Sequence, residues 1–161
     1  MSKWQIFYSF HFDNDVMRVQ LIRNIGVIEG NAPVSPNEWE TIKRNGDSAI
    51  KNWINDNLKY KSCLVVLVGT ETANRKWVQY EIEKAWSDGK GVLGIYIHNI
   101  KCPRNGTTFK GSNPFNYFNI NDKSMSSIVK CYDPNSWDAY NHIADNIDSW
   151  IEEAIKIRSY Y

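Results

Sequence analysis

The chain has 161 residues, with 19 Lys and Arg against 18 Asp and Glu, which leaves a net charge of +1. That length suits one domain with a well-buried core and is short for two. So balanced a charge offers no broad field to draw the protein onto nucleic acid or an anionic membrane, so neither partner is expected.

The first element is an aromatic strand, Trp4 to Phe10 (WQIFYSF), followed by FHFDND, where Asp13 and Asp15 are turn and capping residues. A helix follows from Val16 to Ile25, its apolar positions spread around the wheel, and Gly26 ends it. GVIEG is a short second strand, and NAPVSPN, with two prolines, is an irregular loop. Asp47 is the expected N-cap of a helix with Ile50, Trp53, Ile54 and Leu58 on its inward face. The continuous apolar runs SCLVVLVG (62–69) and GVLGIYIH (91–98) carry the pattern of parallel strands covered on both faces. Between them lies a helix over 74–88, closed by Gly89 and Gly91. Residues 99–126, rich in Asn, Gly, Ser and Pro, form a long connection of functional or surface character. SIVKCYD is a fifth short strand, and Trp137, Tyr140, Ile143, Ala144, Ile147, Trp150, Ile151 and Ala154 mark one face of the last helix.

Strands alternating with helices imply right-handed crossovers, hence an α/β three-layer sandwich: about five mainly parallel strands with helices on both faces. In such sheets ligands bind beyond the carboxyl ends of the strands, where the strand order reverses. The residues just after Phe10, Glu29, Gly69 and Ile97 are therefore the place to look. Cys63, Cys102 and Cys131 lack CxxC spacing, and His11, His98 and His142 are scattered, so no metal site is expected. MSKWQIFYSF has no signal-peptide character and no later run approaches a membrane span, which predicts a cytoplasmic protein.

The stretch KWVQYEIEKAW contains two glutamates two positions apart. On a wheel at about 100° per residue, Val78, Ile82, Ala85 and Trp86 form the buried stripe and Glu81 falls on its shoulder, one turn after Trp77. Glu83 points away, beside Lys76 and Ser87. A carboxyl at the edge of an apolar face has a raised pKa and a held rotamer, which suits catalysis. The same placement also suits a rim glutamate paired with a Lys or Arg, and spacing alone leaves both readings open.

Together, IFYSF entering a polar loop, the central CLVVLVGTETANRKWVQYEI and GVLGIYIH resemble the TIR (Toll/interleukin receptor) domain and, within that superfamily, the TIR-like proteins of the bacterial Thoeris anti-phage system. The resemblance covers most of the chain and is most specific in SFHFDND and in TANRKWVQYEI, where Trp77 and Glu81 stand at the W-x-x-x-E spacing of TIR enzymes. It implies a flavodoxin-like, TIR-like sandwich as a single domain over 1–161. It also makes Glu81 the catalytic residue that cleaves the bond between nicotinamide and ribose in NAD, which is the substrate and not a cofactor. The loop after the first strand, Phe10, His11, Phe12 and Asp13, then corresponds to the nicotinamide-ribose pocket, and residues 30–37 border the cleft. Val78 stands where many TIR domains have cysteine, and the segment from Ile100 to Ser126 has no counterpart, which leaves product specificity open.

Phe10, His11, Asp13, Arg18, Asn74 and Trp77 are the expected substrate-binding residues, each with a structural alternative: core packing for the aromatics, a hydrogen-bond partner for His11, a cap for Asp13, a carboxylate partner for Arg18 and solvation for Asn74. The partners implied by the resemblance are NAD, a downstream effector reached through a diffusible cyclic ADP-ribose isomer, a phage-derived trigger and a second copy in a homo-oligomer. A non-catalytic TIR-like adaptor is the alternative. A phosphorylated receiver domain would need an aspartate where CLVVLVGTET offers Gly69 and Thr70, and a dinucleotide-binding oxidoreductase would need GxGxxG after the first strand.

Overall fold

The structure, a computed structural model, describes residues 5–11, 17–19, 21–22, 29–30, 41–101 and 106–161. Trp4, Phe12, Asp13, Asp15, Gly26, the loop at 31–37 and Cys102 lie outside the described residues. In chain order the elements are β1 (Gln5–Ser9), β2 (Glu29–Gly30), α1 (Asp47–Leu58), β3 (Cys63–Val68), α2 (Lys76–Ser87) and β4 (Gly91–Tyr96). A 3-10 turn (Pro114–Tyr117), a hairpin of β5 (Asn119–Ile120) and β6 (Lys123–Ser124), a second 3-10 turn (Met125–Ser127), β7 (Cys131–Tyr132) and α3 (Ala139–Arg158) complete it. Residues 17–19 and 21–22 are helical, inside the first helix that the sequence predicts.

The main sheet has the order β2-β1-β3-β4-β7, with every pairing parallel. The chain runs outward from β1 to β2, then returns past β1 to build β3, β4 and β7 on the other side. The order thus reverses between β1 and β3, the position at which doubly wound sheets open a crevice.

Strand side chains alternate between the two faces, and the buried set divides accordingly. Phe7, Leu64, Val66, Val68 and Val92 pack with Leu58 of α1 and with Val78, Ile82 and Ala85 of α2. Ile6, Tyr8, Val65, Leu67, Leu93 and Ile95 pack on the opposite face with Val19, Ile22 and Ile143, Ile147 and Ile151 of α3. Helices therefore cover both faces, as the sequence predicts.

Three expectations change. The N-cap of α1 is Gly46, at a φ of 87° that favours glycine, and Asp47 instead stands in the first turn, where its carboxylate meets the Lys76 ammonium at 2.6 Å. α3 begins at Ala139, so Trp137 lies ahead of the helix and is 84 % exposed, while Tyr140 is also exposed. The fifth strand shrinks to Cys131–Tyr132, because Met125–Ser127 closes into a 3-10 turn held by the Ser127 hydroxyl on the Ser124 carbonyl at 2.7 Å.

The long connection is folded. It replaces a helical crossover from β4 to β7 and inserts Phe115, fully buried, into the α2-side core with Met125 and Val129. Gly94 of β4 makes room: a Cβ there would stand 2.7 Å from the Cys131 sulfur and 3.0 Å from the Phe115 ring.

Candidate active site

Ser9 is the last residue of β1 and pairs across the switch point with Val66 of β3. By strand alternation it shares a face with Phe7, the face that α2 covers. From α2 comes Glu81, on the helix shoulder between the stripe residues Val78, Ile82 and Ala85, all buried. Its side chain is only 7 % exposed, and the equally buried Ser9 hydroxyl donates to Glu81 Oε1 at 2.7 Å. Glu83, two residues on, is exposed. Burial therefore separates the two glutamates as the helical wheel predicts.

Burial away from water pushes the Glu81 carboxyl up from 4.5 to about 8, and the Ser9 hydrogen bond, which favours the ionised form, opposes that rise. The site thus contains a carboxyl that gains or loses its proton near neutrality, at the carboxyl ends of the two central strands.

The loop from β3 to α2 is tightly built. The Gly69 amide donates to Thr72 Oγ1 at 2.8 Å, and Thr72 is fully buried. The Gln79 side-chain amide holds the Ala73 carbonyl at 3.1 Å, which fastens the loop to the helix it feeds. These contacts fix the start of α2 and with it the position of Glu81.

The family profile of the Thoeris protein ThsB, TIR-like domain, matches residues 7–101, from β1 through β4. The chain belongs to this family. A Bacillus cereus (strain MSX-D12) protein named as a candidate cyclic ADP-D-ribose synthase, ThsB1, is 33 % identical over 147 residues, which cover 87 % of this chain and 77 % of that protein. Ser9, Glu81 and the switch point all fall inside the matched ThsB region, and the segment from 106 onward lies beyond it.

Within this ThsB-family domain the other expected residues spread out. Trp77 is half-buried on the first turn of α2, edge-on to Tyr80 at 5.7 Å and under the Lys76 ammonium at 4.8 Å. Tyr80 in turn donates to Asn55 Oδ1 of α1 at 2.8 Å, so Trp77 leans on the α1–α2 contact. Phe10 packs against the α3-side core, the face opposite Glu81, and half-buried His11 follows it. Asn74 is exposed in the turn before α2, and Asp13 lies outside the described residues.

Arg18 is buried and directs its guanidinium at backbone: Nε donates to the Ile100 carbonyl at 3.0 Å and a terminal nitrogen to the Gly106 carbonyl at 2.8 Å. Ser9 is the site residue that sequence reasoning missed. Its one signal was a hydroxyl at an inward position after the apolar run Ile6 to Tyr8. Among the described residues, no group of three or more His, Cys, Asp or Glu side chains is gathered as a metal site, and no helix is long and apolar enough to cross a membrane.

Proposed function

We propose that this ThsB-family TIR domain cleaves the nicotinamide–ribose bond of NAD and converts the remainder to a cyclic ADP-ribose isomer, the signal that switches on a partner effector in anti-phage defence. The observation that carries this reading is the buried, Ser9-bound Glu81 at the switch point of the sheet. The match to the ThsB TIR-like profile and the likeness to a protein named for cyclic ADP-D-ribose synthesis support it.

Cationic nicotinamide is a good leaving group and needs no strong acid to expel it. What the reaction needs is stabilisation of the ribosyl cation that forms as the bond breaks, and a fixed carboxylate supplies it while hydrogen-bonding the ribose hydroxyls. Glu81 takes that part. Buried away from water, it is largely protonated at pH 7; the pyridinium charge of NAD favours the carboxylate, so the proton leaves as the substrate arrives. The nicotinamide nitrogen takes the bonding electron pair, and an oxygen nucleophile closes onto the ribose carbon. A carboxylate with a pKa near neutrality then accepts the nucleophile's proton.

The test compares wild type, Glu81→Gln and Glu83→Gln in infected cells and as purified proteins, following nicotinamide and nucleotide products by mass-resolved chromatography. Wild type and Glu83→Gln are expected to release nicotinamide and form a cyclic isomer, with Glu81→Gln at least a hundredfold slower, in the range of a lost electrostatic stabiliser. Equal behaviour of all three, with no nicotinamide above background, would replace the enzyme reading with a non-catalytic adaptor. A phage-derived trigger and self-association belong to the same proposal, and a requirement for infected-cell extract or for high protein concentration is their expected signature.

A further inference from the structure

Beyond the matched ThsB region, residues 106–113 lie across the carboxyl ends of β4 and β3, and their backbone is fastened along its length. Arg18 holds the Ile100 and Gly106 carbonyls. The Thr108 amide donates to the His98 carbonyl at 2.9 Å, and Thr70 Oγ1, just past β3, donates to the Phe109 carbonyl at 2.7 Å and meets Thr108 Oγ1 at 3.1 Å. Lys110 lies 4.4 Å over the Tyr96 ring and pairs with Asp133 at 2.9 Å. Gly111 touches Gly69 so closely that a Cβ would overlap the Gly69 carbonyl oxygen. At the far end, Asn113 Oδ1 accepts from the Phe115 amide at 2.9 Å, and Phe115 is fully buried.

The large apolar side chain of this strap does not pack into the fold. The Phe109 ring is 83 % exposed, although the backbone that carries it is fixed on both sides. A ring so placed adds little to the fold and offers a flat apolar surface at the ligand-binding end of the sheet. Gly69 and Thr70 stand three and four residues past Val66, the partner of Ser9, so the strap crosses at most about 10–13 Å further along the strand direction than the Ser9–Glu81 contact, at ~3.3 Å per residue. A diphosphate-linked dinucleotide with its nicotinamide ribose at Glu81 has its adenosine within reach of that position.

Resting on the NAD reading above, we propose that this strap decides the product: Phe109 stacks the adenine so that an adenosine ribose hydroxyl, and not water, meets the ribosyl cation. In the cyclic route the C–N bond to nicotinamide breaks with its electron pair on the nitrogen. The adenosine hydroxyl oxygen then bonds to the same carbon, and its proton passes to the Glu81 carboxylate and on to solvent. In the linear route a water oxygen takes the hydroxyl's place. The two differ only in which oxygen is held nearer, which a stacking surface and a shut wall both control.

The experiment measures the ratio of cyclic to linear ADP-ribose and the total nicotinamide released by wild type, Phe109→Ala, Phe109→Trp and Gly111→Ala in infected-cell extract. In parallel, ADP binding to each purified protein is measured by calorimetry. Phe109→Ala is expected to shift product toward the linear form and to weaken ADP about tenfold, in line with the loss of one stacking contact. Phe109→Trp retains both, and Gly111→Ala, which forces the strap off Gly69, shifts the ratio as Phe109→Ala does. An unchanged product ratio in both Phe109→Ala and Gly111→Ala overturns the inference while leaving NAD cleavage intact. Absence of nicotinamide from wild type overturns the NAD reading instead, and equal ADP affinity of wild type and Phe109→Ala then removes the stacking surface too.

Discussion

Glu81 destabilises the fold in the ionisation state that the proposed chemistry uses. Its folded pKa, about 8, lies above the unfolded value of 4.5, so the native state binds more protons between those values. The sign follows: stability is fullest below pH 4.5 and is lost as pH rises toward 8. Glu81→Gln removes the titration, and is expected to be more stable than wild type by about 3 kcal/mol at pH 7, with little difference near pH 4. Urea denaturation at the two pH values checks this; equal wild-type and variant midpoints at pH 7 would show that the carboxyl is not held in a dry site. Ser9→Ala acts on the same equilibrium from the other side. Without the hydrogen bond that favours ionisation, the pH at which kcat/KM for nicotinamide release reaches half its maximum is expected to rise by roughly one unit. A uniform loss of rate at every pH would mean that Ser9 only packs. Glu81 was legible in the sequence because a wheel assigns faces within one helix. Its partner was not, because Ser9 and Glu81 are 72 positions apart and only the sheet order brings them together.

Among elements, the strands that read clearly were those buried on both faces: Cys63–Val68 and Gly91–Tyr96 are apolar throughout and every residue of each is buried. The turn that ends α2 was also legible, since Gly89 has a φ of 80°. The connection of 99–126 was not, because nothing local dictates its path. Its 3-10 turns and hairpin are stabilised by contacts with distant residues: Phe115 and Cys131 lie against Gly94, and Thr108 and Gly111 against the loop after β3. The apolar residues of the last helix misled at one end for a related reason, since Trp137 fits the periodic pattern while the helix starts two residues later. Gly94→Ala tests the account of the connection. The added methyl overlaps the Cys131 sulfur and the Phe115 ring, and destabilisation of about 1–3 kcal/mol is expected from overpacking at a site with no empty volume. Phe115→Leu in the same background should recover part of it in urea denaturation; no loss in Gly94→Ala would mean that the connection yields easily.

For the molecule as a whole, the sheet has a long-paired centre and a lightly paired edge at β7, and the candidate site draws on both. β3 and β4 are paired with each other over six residues and covered by α2 on one face and α3 on the other. β7 is paired over two residues. Glu81 reaches the sheet from a helix packed on that centre, which fixes the position of its carboxyl. The strap runs from β4 toward β7, and Lys110 is tied to Asp133, the residue after β7, by an ion pair half open to solvent and so of modest strength. Local opening free energies should follow the same division. Amides of Leu64 to Val68 and Val92 to Tyr96 are expected to exchange hydrogen only on global unfolding, whereas Tyr132 and Thr108 exchange through local opening and at least tenfold faster. Added ADP should slow Thr108 and leave the β3 amides unchanged, because a ligand stabilises only the opening that destroys its site. Uniform protection of all of them without ligand would make the strap part of that centre, and product choice would then be fixed by a static wall.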